Sequence, residues 1–514
     1  MTILLLLFIL FSQSCKKDDL ANIIRVDYEG RAIEDIPQIR IVTGSGTNYQ
    51  ISQSTFNNGN AIQLESDQPQ FISIVAAEGD LVTHGNGVML SMWIRGELAS
   101  DSSEVRILSN SLDKNGETET KIIGTGKLSG TKWSWLAAWY YRGEETAVAE
   151  SFILEIDHTA KIVADDILMT YTPEQLPEDL RPLITVDKDR IMDGDKQISL
   201  QGVNLSAYSS PRHNDLQGHE LTNSREDDYR DIKARGWNVI RLNLNYEELT
   251  ELGGWKWMDI QILWARRHDL RLILDLHSPP GGYQCPDYDG DYWKDTEIAK
   301  EWRDQTMQFW KEASQRYRDN PTIAAFNLIN EPRPDFDAQW WAFVRKAVKL
   351  VRAEGFQQPI TVESTSAADA RFELVEDDAI IYDYHFYDPW FFASAESGQY
   401  NTACLPHEEG VILNKDWQLK SLKAGILDFA QEHEVPVNIG EYGFILAAFE
   451  IGGELWLQDL TDILDEYHIS RQYWCWQSYT VWALDRSGWN RNYPPEYDER
   501  ILSIISKKNE NLTW

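Results

Sequence analysis

Two patterns of hydrophobic and polar residues divide the chain. From about Asn22 to Tyr171, short alternating runs such as Val88–Ile94, Glu104–Leu108 and Ser151–Ile156 are separated by Gly, Asn, Asp and Ser. Alternation at a period of two turns one face inward, so residues 22–172, with few helical patterns, predict an all-β sandwich or jelly roll. Residues 173–182 hold Pro173, Pro177 and Pro182 and no apolar period, and read as a linker. Over residues 183–514, β-like runs alternate with amphipathic stretches. The strand candidates are Ile198–Leu205, Val239–Leu244, Arg271–His277, Ala324–Asn330, Ile360–Glu363, Ile380–His385, Val437–Glu441 and Gln472–Gln477. Helical stretches between them include Arg225–Arg235, Thr296–Tyr317, Ala338–Glu354, Trp417–Glu432 and Leu455–Tyr467. This βα alternation predicts a TIM (β/α)8 barrel behind the sandwich. An open doubly wound sheet is the alternative. It would need a Gly-rich phosphate turn after its first strand to hold a nucleotide, and Gln201–Leu205 is not one.

In a barrel of this kind the chemistry gathers where strands run into the following loops. Two such ends close on glutamate: Glu331 in Asn327–Pro332 and Glu441 in Val437–Gly443. A carboxylate at the mouth of a buried strand loses hydration. One could simply begin a solvated loop; two at corresponding places suggest the carboxylate pair of a glycosidase. The other polar or aromatic residues at strand ends are Arg241, His277, Asn330, His385, Tyr387 and Trp476. Each alone has a plain structural explanation, but together they converge on one face. A metal is the rival use of the histidines and acids, yet no paired His at helical spacing and no Cys cluster supports it.

At 514 residues the chain is long enough for two domains. A net charge of −34 repels nucleic acid and anionic surfaces and fits a neutral substrate. Trp and Tyr are numerous, at 21 and 22, which suits flat ligand faces such as those of sugars as well as core. Residues 1–14 read as a signal peptide whose apolar run, Ile3 to Phe11, is too short to span a bilayer. Ser12-Gln13-Ser14-Cys15 resembles a bacterial lipobox, with lipid expected on Cys15. The anchor segment 15–21 carries Lys16-Lys17-Asp18-Asp19, similar to export signals on surface lipoproteins of Bacteroidetes-type bacteria. The expected location is the outer membrane or cell surface, with membrane contact only through the lipid. Cys475 lies in an apolar run and reads as buried, whereas Cys285 and Cys404 could pair.

The set Arg241 in Val-Ile-Arg-Leu, His277 in Leu-Asp-Leu-His, Asn330-Glu331-Pro332, His385-Phe386-Tyr387, Glu441 in Ile-Gly-Glu-Tyr-Gly, and Trp476 resembles glycoside hydrolase family 5, the cellulase family of retaining barrel glycosidases. The resemblance implies that Glu331 is the general acid/base and Glu441 the nucleophile. Arg241 and Tyr387 would then hold Glu441 charged. Asn330 would bind the sugar 2-hydroxyl, His277 and His385 neighbouring hydroxyls or the acid/base, and Trp476 would floor the cleavage point. Tyr283 and Trp293 in the third loop, Trp390 in the sixth, and Trp482 and Trp489 in the eighth are candidate sugar platforms. The expected partner is a β-linked polysaccharide or oligosaccharide, cut by a monomer without a cofactor. An endo-β-1,4-glucanase is the leading expectation, with a β-mannanase, an exo-acting β-glucosidase or a non-catalytic glycan-binding lipoprotein as alternatives. The strand Ile162–Met169 resembles the last strand of jelly-roll carbohydrate-binding modules, which implies Glu29 and Asp166 as candidates for a structural calcium, beside the plainer reading of a solvated Asp-Asp turn. Trp133, Trp135, Trp139, Tyr140 and Tyr141 form an aromatic cluster read mainly as sandwich core.

Overall fold

A computed structural model of the chain describes residues 23–26, 39–43, 47–53, 60–66, 70–76, 81–82, 84–98, 104–128, 132–156, 160–173, 175–206, 224–251, 253–281, 292–365, 372–396, 403–405, 408–477, 481–486, 492–493 and 496–506. The N-terminal part consists of two antiparallel sheets. In one, Gly87–Leu98 lies between Trp133–Tyr141 and Ala160–Tyr171; in the other, Thr146–Ile156 lies between Gln70–Ala76 and Glu104–Asp113. Val88, Leu90, Met92, Ile94 and Leu136 of the first sheet share a core with Ile74, Val105, Ile107, Phe152 and Leu154 of the second. This is the sandwich that the alternating pattern predicts.

The C-terminal part is a closed barrel of eight parallel strands: Gln201–Ser206, Val239–Asn245, Arg271–Ser278, Ile323–Asn327, Ile360–Glu363, Ile380–Phe386, Val437–Tyr442 and Ser470–Tyr473. They are buried almost throughout and read as apolar runs because helices cover the outside. The doubly wound alternative is thereby set aside. Two strand ends differ from expectation in ways that bear on the site. The regular fourth strand ends at Asn327, and Asn330, whose N–H still donates to the Leu276 carbonyl at 3.1 Å, and Glu331 follow just above it. The eighth ends at Tyr473, short of Trp474 and Trp476. The first candidate also divides. Lys196–Ile198 belongs to a small antiparallel sheet with Ile184–Asp187 and Arg190–Asp193. Ile184 and Ile191 of that sheet pack on Val239, Ile273, Ala324 and Ile381 and close the barrel floor.

The sandwich is built onto the rim of the barrel. Asn492–Tyr493, in the connection that follows the eighth strand, pairs antiparallel with Trp133 and Ser134. The strand Trp133–Tyr141 turns Leu136, Ala138 and Tyr140 into the sandwich core. Its odd-numbered aromatics face the barrel instead: Trp139 joins the barrel core cluster with Tyr141 packed against it. The Arg225 guanidinium, just before the first barrel helix, lies 5.1 Å from the Trp93 ring and 5.5 Å from the Trp135 ring. At Gly253 (φ 70°) a Cβ would come within 2.3 Å of the Tyr141 ring, so the approach needs glycine. The aromatic cluster is therefore largely a domain junction, a correction to its reading as sandwich core. The proline-bearing linker is held as well: Arg181 binds Asp179 at 2.7 Å and Thr322 at 3.0 Å, and Arg266 donates to the Glu178 carbonyl at 2.6 Å. No helix among the described residues is long and apolar enough to cross a membrane.

Candidate active site

Arg241, on the second barrel strand and with no exposed surface, organises the face where the strands end. Its Nε donates to Asn327 (3.0 Å), one terminal nitrogen to Asn204 (2.8 Å) and Glu441 (2.9 Å), and the other to Asn330 (2.7 Å) and Glu363 (3.1 Å). Asp275 lies 3.1 Å from it. Burial alone would lower the Arg241 pKa, but Asp275, Glu441, Glu363 and Asp383 outweigh it, so the guanidinium stays charged. Burial raises Asp275, while Arg241 and His277 pull it below the usual carboxylate range.

Glu441 is held from both sides. Arg241 binds Oε1, and the Tyr387 hydroxyl donates to Oε2 at 2.8 Å. Burial and the Glu441 charge push the Tyr387 pKa well up, so its hydroxyl keeps the proton it donates. The seventh strand reaches this point because Gly440 leaves room for Asp383. A Cβ there would sit 2.5 Å from Asp383 Oδ2, and the Gly440 N–H donates to Asp383 Oδ1 at 2.6 Å.

Glu331 has φ 41°, in the left-handed region that glutamate rarely occupies, with its N–H donated to Glu363 Oε2 at 2.6 Å. Its Oε1 lies 3.1 Å from His385 Nδ1, and its Oε2 lies 3.5 Å from Arg333. Burial works to raise the Glu331 pKa. The His385 bond and charge, with Arg333 and His277, win and hold it down at about 2. Burial would lower His385, but Glu441, Glu363 and Glu331 raise it to about 10. In the free site the surroundings therefore favour the ionised form of Glu331 and the protonated form of His385. An oxygen of Glu331, an oxygen of Glu441 and a ring nitrogen of His385 all lie within 4.8 Å of one another.

The other expected residues fall into three groups. Asn330 Nδ2 is buried without a hydrogen-bond partner among the described residues. His277 Nδ1 lies 2.8 Å from Asp275, and its ring stacks on Trp474 at 5.3 Å and 10°. Trp390, 56% exposed, stacks on Trp482 at 5.9 Å, and both meet Tyr387 edge-on. Two expectations are corrected. Trp476 has no exposed surface: its Nε1 donates to Asp228 at 3.2 Å and its ring packs on Trp237 and Tyr497. The ring at the strand end is the half-buried Trp474, two residues earlier. Trp293 is 4% exposed and packed edge-on against Trp340 and Phe343, so it serves the helix layer and offers no sugar platform. Cys15, Glu29, Tyr283, Cys285, Trp489 and the side chains of Asp166 and Cys404 lie outside the described residues. Sequence reasoning missed Glu363, although its strand was placed correctly; no motif surrounds it.

Among the described residues, two sets could offer ligands to a cation, Glu331–His385–Glu441 and Glu363–Asp383–His385. Arg241 already binds Glu441 and Glu363, so a metal there would meet its repulsion, and neither donor set fits one.

Residues 194–480 match the sequence profile of the cellulase family, glycosyl hydrolase family 5. Endoglucanase C of Acetivibrio thermocellus is 25% identical over 347 residues, spanning 60% of this chain and 98% of that protein. A β-xylosidase of Phanerodontia chrysosporium is 26% identical over 286 residues, spanning 50% of this chain and 54% of that protein. A crystal structure described as a glycoside hydrolase superposes with a TM-score of 0.50 at 14% identity, covering 60% of this chain and 99% of that one, a likeness of fold. Because the profile spans more than half of the chain and its barrel, the chain belongs to glycosyl hydrolase family 5, the cellulase family, and is a glycosyl hydrolase.

Proposed function

We propose that the protein is a retaining endo-β-1,4-glucanase working by double displacement. The observation that carries this is the meeting of Glu331 and Glu441 oxygens within 4.8 Å. That favours direct attack over the wider gap of about 6.5–9.5 Å that an inverting enzyme leaves for water. Glu441, bound by Arg241 and Tyr387, attacks the anomeric carbon. Glu331 protonates the departing oxygen and then, as a base, draws a proton from water to release the sugar. Asn330 Nδ2 donates to the sugar 2-hydroxyl, a bond that tightens as positive charge grows on the ring. Trp474, backed by His277, supplies the flat floor, and the Trp390–Trp482 stack extends an apolar platform along the cleft. The endo assignment and the glucan substrate follow the likeness to Endoglucanase C, and the β-1,4 linkage follows membership of the cellulase family.

The lipobox-like residues before Cys15 support a surface lipoprotein, and [3H]palmitate labelling that Cys15→Ser abolishes would establish the anchor. Hydrolysis of a panel of soluble β-glucans, β-mannans and cello-oligosaccharides, with early anomer detection by NMR, tests the activity. Mid-chain cuts in β-1,4-glucan giving the β-anomer first support the proposal. Preferred mannan cleavage, monosaccharide release from chain ends, or an α-anomer would each replace it.

A further inference from the structure

Glu363 closes the fifth barrel strand and has no part in the double displacement described above. It is 3% exposed. Its Oε1 accepts from Arg241 (3.1 Å) and Asn327 Nδ2 (3.0 Å), and its Oε2 accepts the Glu331 backbone N–H at 2.6 Å. That last bond captures the residue whose φ of 41° glutamate would otherwise avoid. The same Oε2 lies 3.6 Å from Nε2 of His385, a nitrogen buried without a hydrogen-bond partner among the described residues. The other ring nitrogen of His385 faces Glu331 Oε1 at 3.1 Å. Glu363 therefore reaches Glu331 twice, once through the main chain and once through the imidazole.

We propose that Glu363 is a positioning residue that fixes both the orientation of Glu331 and the resting place of the catalytic proton on His385. The inference rests on the assignment of Glu331 as acid/base. In the free site the proton sits on His385 Nδ1. As substrate enters, the N–H bond breaks and an O–H bond forms on Glu331, leaving a neutral imidazole. That O–H then breaks as the leaving oxygen takes the proton. In the second half-reaction Glu331 takes a proton from the attacking water and returns it to Nδ1, so the cycle closes with no net change.

The charged groups around Glu363 are Arg241 from the second strand, Asp275 from the third, Glu331 above the fourth, and Asp383 and His385 from the sixth. His385 faces Glu441, Glu363, Glu331 and Arg241. Burial pushes the Glu363 pKa up against the pull of His385 and Arg241. When ionised, Glu363 favours the protonated form of His385, whose Nε2 lies 3.6 Å from its Oε2.

The test compares pH–rate profiles of wild type and Glu363→Gln on cellotetraose and on a 2,4-dinitrophenyl cellobioside, whose leaving group needs little protonation. The expected result is an alkaline limb of kcat/KM moved down by about one pH unit, since one stabilising anion is gone. On cellotetraose, kcat should fall about tenfold or more with KM nearly unchanged, while the activated substrate loses much less. Superimposable pH profiles, or equal losses on both substrates, would overturn the proposal. Should the Gln variant melt far below wild type, Glu363→Asp, which keeps the charge at shorter reach, is expected to hold the alkaline limb while losing kcat. A displaced limb there would also overturn it. Glu331→Ala on the same two substrates separates the underlying assignment: without selective retention on the activated one, Glu331 is not the acid/base, whatever Glu363 does.

Discussion

Glu331 and His385, 3.1 Å apart, are shifted in opposite directions, and those shifts have a consequence for stability. Glu331 is held near 2 against an ordinary 4.5, so its contribution is present above pH 4.5 and lost as pH falls through about 2. His385 is raised to about 10 from 6.5, so its contribution is complete below pH 6.5 and lost as pH rises through about 10. The pair is at full strength between those ordinary values. Melting temperature should therefore decline as pH rises from 6.5 toward 10, and His385→Asn should flatten that alkaline slope. Thermal melts followed by circular dichroism at a series of pH values check this; parallel curves for the two proteins would contradict it. The residues that carry this behaviour were legible because each stands in a short motif at a strand end. Glu363 was not, because its value lies in what it accepts: a backbone N–H from one loop and an arginine from another strand, neither of which leaves a local trace.

Among the elements, the barrel strands were readable because burial on both faces makes them apolar throughout, and turn residues bound them. Their ends were less so. Tyr473-Trp474-Cys475-Trp476 is apolar from end to end, and nothing in its composition tells where the ladder to the neighbouring strands stops. The regular strand ends at Tyr473, although Trp474 and Trp476 still donate their N–H groups to the Tyr442 and Asn204 carbonyls; Trp474 then lies against His277 at the site, and Trp476 packs in the layer behind it. The two tryptophans should then fail differently. Trp474→Ala is expected to keep the fold and lower kcat/KM by about tenfold to hundredfold, the worth of about 1.4–2.7 kcal/mol of sugar contact. Trp476→Ala empties a fully buried site and should cost about 3–5 kcal/mol of stability. Denaturant titration beside kinetics on each variant distinguishes them, and a reversed pattern would return the sugar floor to Trp476. The short sheet under the barrel escaped notice because Lys196–Ile198 and Gln201–Ser206 run together in sequence as one β-like stretch.

For the whole molecule, the main surprise is how little independence the sandwich has. Period-two alternation told which residues of Trp133–Tyr141 share a face, but it could not tell that the aromatic face meets another domain. Pairing with Asn492–Tyr493 and the contacts of Trp139 and Arg225 make sandwich and barrel one packed body. Trp133 and Trp139, at 5% and 6% exposure, are spent on packing. Replacing both by alanine in the full chain should lower the melting temperature by several degrees while leaving retardation by β-glucan in affinity electrophoresis unchanged. Lost retardation at an unchanged melting temperature would make that face a glycan-binding surface after all.

In the proposed mechanism Glu441 forms the covalent bond to the sugar and Glu331 manages the proton. Incubation with a 2-deoxy-2-fluoro cellobioside bearing a good leaving group, followed by peptide mass mapping, reads out that division of roles. The fluorine slows release of the intermediate and leaves the sugar on its nucleophile. One sugar per chain, on the peptide containing Glu441 and absent in Glu441→Ala, is the predicted result. Label on Glu331, or time-dependent inactivation that persists in Glu441→Ala, would contradict it.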